Sequence, residues 1–159
     1  MVEVLVLYYS RSGNVEAMAK AVANGVNDVE GASSKLRRAD YANVEDFTSC
    51  DAVAIGSPNY FGYMAGLMKD FFDRAWSVRE KVSGKPAAAF TCGGSSSNAA
   101  LASLEKMFSS FKLEKVSEGM ACGIREQGTL SEQNFAVCKK IGETLAKAAI
   151  EKEAKEPTD

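Results

Sequence analysis

The stretch that decides the fold is Val4-Leu5-Val6-Leu7-Tyr8-Tyr9-Ser10-Arg11-Ser12-Gly13-Asn14-Val15. An apolar, β-prone run stops abruptly at small hydroxyl residues and a glycine. Val15, Met18, Ala19, Val22, Val26 and Val29 then recur at helical spacing. A strand that turns through Ser-x-Ser-Gly-Asn into a helix aims several free backbone N–H groups at one point. The helix dipole adds partial positive charge there, so the turn suits a phosphate. It lacks the Gly-Lys-Ser/Thr ending of a P-loop and the full G-x-G-x-x-G of a dinucleotide site, which favours a terminal monophosphate. Taken alone, the loop is equally well read as an ordinary capped strand-to-helix turn.

Outward from this stretch, strand and helix patterns alternate. Residues 33–39 read as a polar edge strand, Val44–Ser49 as a short helix and residues 52–56 as a buried strand. After a loop at 57–63, Met64, Leu67, Met68, Phe71, Phe72 and Ala75 form one helical stripe. Pro86 opens another strand, over 87–91, and a loop at 92–98 leads to a helix with Leu101, Leu104, Phe108 and Phe111 inward. Residues 116–124 are a weaker last strand. Thr129-x-x-Glu132 fits a capping box for a final helix carrying Phe135, Cys138, Ile141 and Leu145. Five strands alternating with helices imply an α/β fold, a parallel sheet covered on both faces. Residues 1–150 are expected to form a single domain, followed by a charged, frayed tail at 151–159.

The bulk composition narrows the function. With 159 residues, 46% of them hydrophobic and 25% charged, the chain suits one soluble domain. A net charge of −2 and no basic cluster argue against nucleic acid. No apolar run approaches the roughly 20 residues that span a bilayer. The first strand begins by Val2, leaving no room for a signal peptide, so a cytoplasmic protein is expected. Cys50, Cys92, Cys122 and Cys138 contain no C-x-x-C pair, so buried free thiols are expected rather than a metal site. There is no histidine. With that acid/base absent, a cofactor is expected to carry the chemistry, and no catalytic side chain is assigned.

Two further loops lie at the same end of the sheet, where ligands of such folds sit. Residues 57–63 place Tyr60, Phe61 and Tyr63 within four positions, which suits stacking on a flat ring. Residues 91–98 offer Gly93 and Gly94 for close backbone approach, with hydroxyls beside them. Neither loop contains Lys, Arg, Asp or Glu, and Arg11 is the single charge expected in the site. An uncharged pocket suits a neutral heteroaromatic such as a flavin. It offers no cation to an anionic reduced flavin, which would lower the reduction potential.

The opening residues, with Gly13-Asn14-x-Glu16-x-Met18-Ala19, and the run 56–73 (Gly-Ser-Pro-Asn-Tyr-Phe-Gly-Tyr-Met-Ala-Gly-x-Met-Lys-x-Phe-x-Asp) resemble flavodoxin-like FMN proteins. Within these they look most like the NAD(P)H:quinone oxidoreductases named after tryptophan-repressor binding. The resemblance implies a three-layer sandwich with a five-stranded parallel sheet in the order 2-1-3-4-5 and FMN at the strand ends. By position, Ser10, Arg11, Ser12, Gly13, Asn14 and Val15 would hold the phosphate. Asn59, Tyr60 and Phe61 would lie along the isoalloxazine, with Pro58 and Gly62 beside them also binding the cofactor, and Thr91, Cys92, Gly93, Gly94 and Ser95 would meet its pyrimidine edge and the ribityl chain.

Departures from the family bear on function. Val15 stands where flavodoxins commonly carry threonine, and Ser12 where the quinone reductases often carry tyrosine. The histidine those enzymes carry after the fifth strand is missing, as are their long insertions. The leading expectation is an electron-transfer protein whose flavin alternates between oxidised and reduced states for a redox partner protein or small-molecule donor or acceptor. It would be a monomer or small homo-oligomer. The alternative is an NAD(P)H:quinone oxidoreductase; a non-redox interaction module is the third reading.

Overall fold

Side chains along the first strand, β1 (Val2–Tyr8), alternate between two buried faces. Val2, Val4, Val6 and Tyr8 enter one apolar cluster, Leu5 and Leu7 the other, as the two-residue period of a strand dictates. In the computed structural model, which describes residues 1–157, every strand pairing is parallel. The strands are β1, β2 (Ala32–Arg38), β3 (Ala52–Pro58), β4 (Pro86–Cys92), β5 (Glu114–Lys115) and β6 (Met120–Cys122). Their order is β2-β1-β3-β4-β5, with β6 also beside β4. This is the flavodoxin-like order that the resemblance implies.

Helices α1 (Asn14–Asn27) and α6 (Glu132–Lys155) cover the first face. Helices α2 (Val44–Ser49), α3 (Gly66–Ala75), α4 (Arg79–Val82) and α5 (Ser97–Phe111) cover the second. Phe47, Phe71, Phe72 and Phe111 pack ring to ring there, with centroids 5.5–6.1 Å apart. On the first face α1 and α6 approach backbone to backbone. A Cβ on Gly25 would lie 1.9 Å from the Lys139 carbonyl oxygen, and one on Gly142 2.0 Å from that of Val22. Among the described residues no helix is long and apolar enough to cross a membrane.

Several local expectations change. The last strand is broken: β5 pairs with Pro86 and Ala87, β6 with Phe90, Thr91 and Cys92, and residues 116–119 leave the ladder between them. Gly119 sits where a Cβ would lie 2.7 Å from Leu101, so the chain passes over α5 at that point. Leu67 and Phe135 are exposed rather than inward. Each lies in its helix's first turn, where the periodic stripe runs off the edge of the sheet. The cap of α6 is Ser131 with Asn134, not Thr129 with Glu132. Ser131 Oγ accepts from the Asn134 N–H at 3.1 Å, and Asn134 Oδ1 from the Ser131 N–H at 2.9 Å. Helix α6 continues to Lys155, where the Lys155–Glu151 pair (2.8 Å) supports its last turn, so much of the expected tail is helical. Thr158 and Asp159 lie outside the described residues. Trp76 opens a 3-10 turn before α4 and packs edge-on against Phe111 at 5.6 Å, away from the strand ends that carry the site.

The chain leaves β1 for α1 on one face and β3 for α3 on the other. Their loops diverge, and a crevice opens between them at the C-terminal ends of the strands.

Candidate functional site

The crevice is bounded by four loops, each held by named contacts. The first follows β1. Ser10 is buried, and its Oγ accepts the Gly13 N–H at 3.1 Å. Gly13 takes φ +108°, a left-handed conformation that suits glycine. No side chain caps α1, so the first N–H groups of the helix, at Asn14, Val15 and Glu16, face the crevice side unpaired. Arg38, at the end of β2, pins this loop by donating from Nη1 to the Ser10 carbonyl at 3.0 Å. Its guanidinium lies 5.4 Å from the Tyr9 ring centre, 5.9 Å from that of Tyr41, and pairs with Asp40 at 3.2 Å.

The second loop is a two-residue hairpin. Tyr60 and Tyr63 exchange backbone hydrogen bonds of 2.9 and 3.1 Å, with Phe61 (φ +57°) and Gly62 (φ +77°) at the tip. Positive φ at both central residues defines a type I′ turn, which favours Asn-Gly. A phenylalanine in that conformation stores about 1–3 kcal/mol of strain. Its ring is fully exposed, so burial in this chain does not offset the strain.

Two asparagines act as brackets. Asn59 joins the second loop to the third. Its Nδ2 donates to the Gly93 carbonyl at 2.7 Å and Ser96 Oγ at 2.6 Å, and its Oδ1 accepts the Gly62 N–H at 2.8 Å. Asn14 joins the first loop to the fourth, which follows β6. Its Nδ2 donates to the Arg125 and Gly128 carbonyls, both at 3.4 Å. The third and fourth loops meet through Gly93 N–H to Cys122 carbonyl (3.0 Å) and Cys92 Sγ to Ile124 carbonyl (3.3 Å).

A cleft of about 330 Å³ lies among these loops. Ser10, Arg11, Ser12, Asn14 and Val15 line it from the first loop. Pro58, Asn59 and Tyr60 line it from the second, and Cys92, Gly93 and Gly94 from the third. Five expected site residues do not line it. Gly13 and Gly62 shape their turns instead, Phe61 points to solvent and Ser95 is exposed outside the cleft. Thr91 is completely buried, and its hydroxyl donates inward to the Ser97 carbonyl at 3.0 Å. The fourth wall is Ile124, Arg125, Glu126 and Gln127; the sequence offers Arg125 and Glu126 either as the cofactor entrance or as solvated side chains and favours the latter, and it singles out neither Ile124 nor Gln127. The available signal was position, since this loop also leaves the C-terminal end of a strand. It brings Arg125 and Glu126 to the rim, so Arg11 is not the single charge; the second and third loops remain uncharged.

Few groups here can move protons. Burial, reinforced by neighbouring Cys122, pushes the Cys92 thiol up to about 12, so it stays protonated and is a poor nucleophile. Burial also raises the Tyr60 phenol above its ordinary value, with the charge of Arg11 acting in the opposite direction. The Tyr60 hydroxyl is buried without a hydrogen-bond partner. The cleft fits a flat phosphorylated molecule. It has an uncapped helix start for an anion at one end. Val15, Pro58 and Ile124 provide apolar surface, and Gly93 (φ +133°) and Gly94 (φ +76°) leave room for close approach. An unpaired buried hydroxyl completes it.

Comparisons with known proteins agree with this geometry. Residues 4–121 match the family model described as NADPH-dependent FMN reductase. The chain is 39% identical over 95 residues to a flavodoxin of Aquifex aeolicus, covering 59% of this chain and 51% of the relative. It is 39% identical over 117 residues to NAD(P)H dehydrogenase (quinone) 3 of Rhizobium meliloti, covering 60% and 55%. The chain thus spans about half the length of the curated relatives it matches. The solved structure of an archaeal flavodoxin superposes with a TM-score of 0.79 at 21% identity, covering 94% of this chain and 99% of that one.

Proposed function

The chain belongs to the flavodoxin-like family of NADPH-dependent FMN reductases, FMN-binding redox proteins, and from that premise we propose that it works as an electron-transfer protein. The observation that carries this reading is the cleft itself. Its phosphate end is built from backbone N–H groups, its second and third loops carry no charge, and it holds no histidine. Such a site binds and orients; it does not offer a side-chain acid or base matched to neutral pH. FMN, when bound, supplies the one- and two-electron chemistry.

The residues of the chain have distinct tasks in this reading. The N–H groups at the start of α1, the Ser10 and Ser12 hydroxyls and Arg11 hold the phosphate. Val15, Pro58, Tyr60 and the 92–94 backbone hold the flat ring and exclude water from it. Asn59 and Asn14 fix the two sides of the cleft before the ligand arrives, which reduces the ordering cost of binding. Arg38 keeps the first loop in place from β2. The partner reaches the open rim, a redox protein or a small donor or acceptor.

A second reading, an NAD(P)H:quinone oxidoreductase, is favoured by the names of the family and of several relatives. An anaerobic titration of the FMN-loaded protein separates the two. Dithionite should bleach the flavin absorbance, and stoichiometric NADPH should do so slowly or not at all. Rapid bleaching by NADPH, reversed by an added quinone, would establish the reductase instead.

A further inference from the structure

A second concavity lies on the outer side of α1 and α6. It is a groove of about 480 Å³ between the two helices, and it shares no lining residue with the cofactor cleft. Both helices start at the C-terminal end of the strands, after β1 and β6, and run back over the same face, so they lie parallel. Positions 17, 20 and 21 of α1 and 132, 135 and 136 of α6 fall on the outward side of each helix and line the groove. Lys139 of α6 and Asp28, just past the end of α1, pair across its lower end at 2.9 Å.

The two walls differ in a complementary way. Helix α1 offers the small Ala17 and Ala21 with the cation Lys20, whereas α6 offers the bulky Phe135 with the anion Glu132. Phe135 is 36% exposed. Lys20 and Glu132 have no ion-pair partner among the described residues. Side by side in one chain these walls leave a groove; face to face between two chains they close it. A two-fold axis parallel to the helices lays α6 of one copy on α1 of the other, twice over, as a self-complementary contact requires.

We propose that this groove is the interface of a homodimer, in which Phe135 fills the Ala17–Ala21 hollow of the second copy and Glu132 pairs with its Lys20. The size of the face sets the strength. Helix α1 has 14 residues and is about 21 Å long. Two helices 8–10 Å apart are roughly 20 Å across, so each copy covers roughly 400 Å². A standard interface covers about 800 Å² per partner, which places this dimer at the weak, reversible end. The dimer leaves both cofactor clefts uncovered and does not depend on the FMN reading.

Sedimentation velocity of the flavin-free protein over a wide concentration range tests this. The mass should rise from the 17.0 kDa of one chain towards twice that value. Phe135→Ser should weaken association at least about tenfold, as loss of a central aromatic anchor does. Lys20→Glu and Glu132→Lys each set like charges together at both contacts and should each weaken it at least about threefold, while the double variant should return within about twofold of wild type. All three positions are exposed, so the variants should melt within about 3 °C of wild type and the association is read on folded protein. A chain that stays at 17.0 kDa into the high micromolar range would overturn the proposal. So would a dimer indifferent to these substitutions, or a double variant that associates no better than the single ones.

Discussion

Replacing Asn59 with alanine would remove three side-chain hydrogen bonds together: to the Gly93 carbonyl, to Ser96 Oγ and from the Gly62 N–H. Each is worth about 0.5–1.5 kcal/mol net. Because the groups are partly exposed, water recovers some of the loss, and about 2 kcal/mol in all is a reasonable sum. The second and third loops can separate locally without opening the sheet, so little of this should appear in global unfolding. It should appear in binding, since a ligand must then order both loops. At 1.4 kcal/mol per tenfold, about 2 kcal/mol weakens FMN about 30-fold. Asn59 lies on the side of the cleft away from the first loop, so riboflavin should lose the same factor. Fluorescence quenching with both flavins measures this, beside a melting curve of the ligand-free protein. FMN affinity within threefold of wild type would refute the idea that Asn59 pre-forms the cleft.

Phe61→Asn should stabilise the ligand-free protein by about 1 kcal/mol, raising the melting midpoint by about 2–4 °C, because asparagine tolerates the left-handed turn; an unchanged or lower midpoint would contradict the strain at Phe61. Gly25→Ala places a methyl 1.9 Å from the Lys139 carbonyl oxygen and should cost about 2–3 kcal/mol by forcing α1 from α6, measured by urea denaturation. Asp46 reports on pH. Burial opposes its ionisation, but Lys35 at 2.7 Å, the Asn43 N–H at 3.0 Å and Arg37 outweigh that and hold its carboxyl below the ordinary value. A depressed carboxyl contributes stability that is full above the unfolded pKa, about 3.9, and is lost as pH falls through the folded value. Asp46→Asn should therefore be less stable than wild type at pH 7 and approach it below pH ~3; a gap independent of pH would refute this.

The fold was legible because its signals are local and repeated. The alternation of Val4, Leu5, Val6 and Leu7 specifies a strand buried on both faces. The spacing of Val15, Met18, Ala19 and Val22 specifies the helix packed on it. The first three loops stand out by composition alone. What escaped depends on contacts between distant segments. Asn59 and Asn14 look like ligand donors in sequence, yet each spends its amide holding two loops together. Phe61 looks like a ring platform, but a type I′ turn sends it outward. Thr91 occupies the last positions of a fully buried strand, so its hydroxyl turns inward. The fourth wall was only half visible: Arg125 and Glu126 read more readily as solvated than as the cofactor entrance, because it is the pairing of the interrupted β5 and β6 with β4 that brings them to the rim.

Titration of flavin-free protein with FMN, followed by flavin fluorescence, tests the central claim most directly. Quenching should saturate at one FMN per chain, and a charge-reversing Arg11→Glu substitution at the phosphate end should weaken it strongly. A signal that never saturates, or one indifferent to that substitution, would contradict a cofactor site in this cleft.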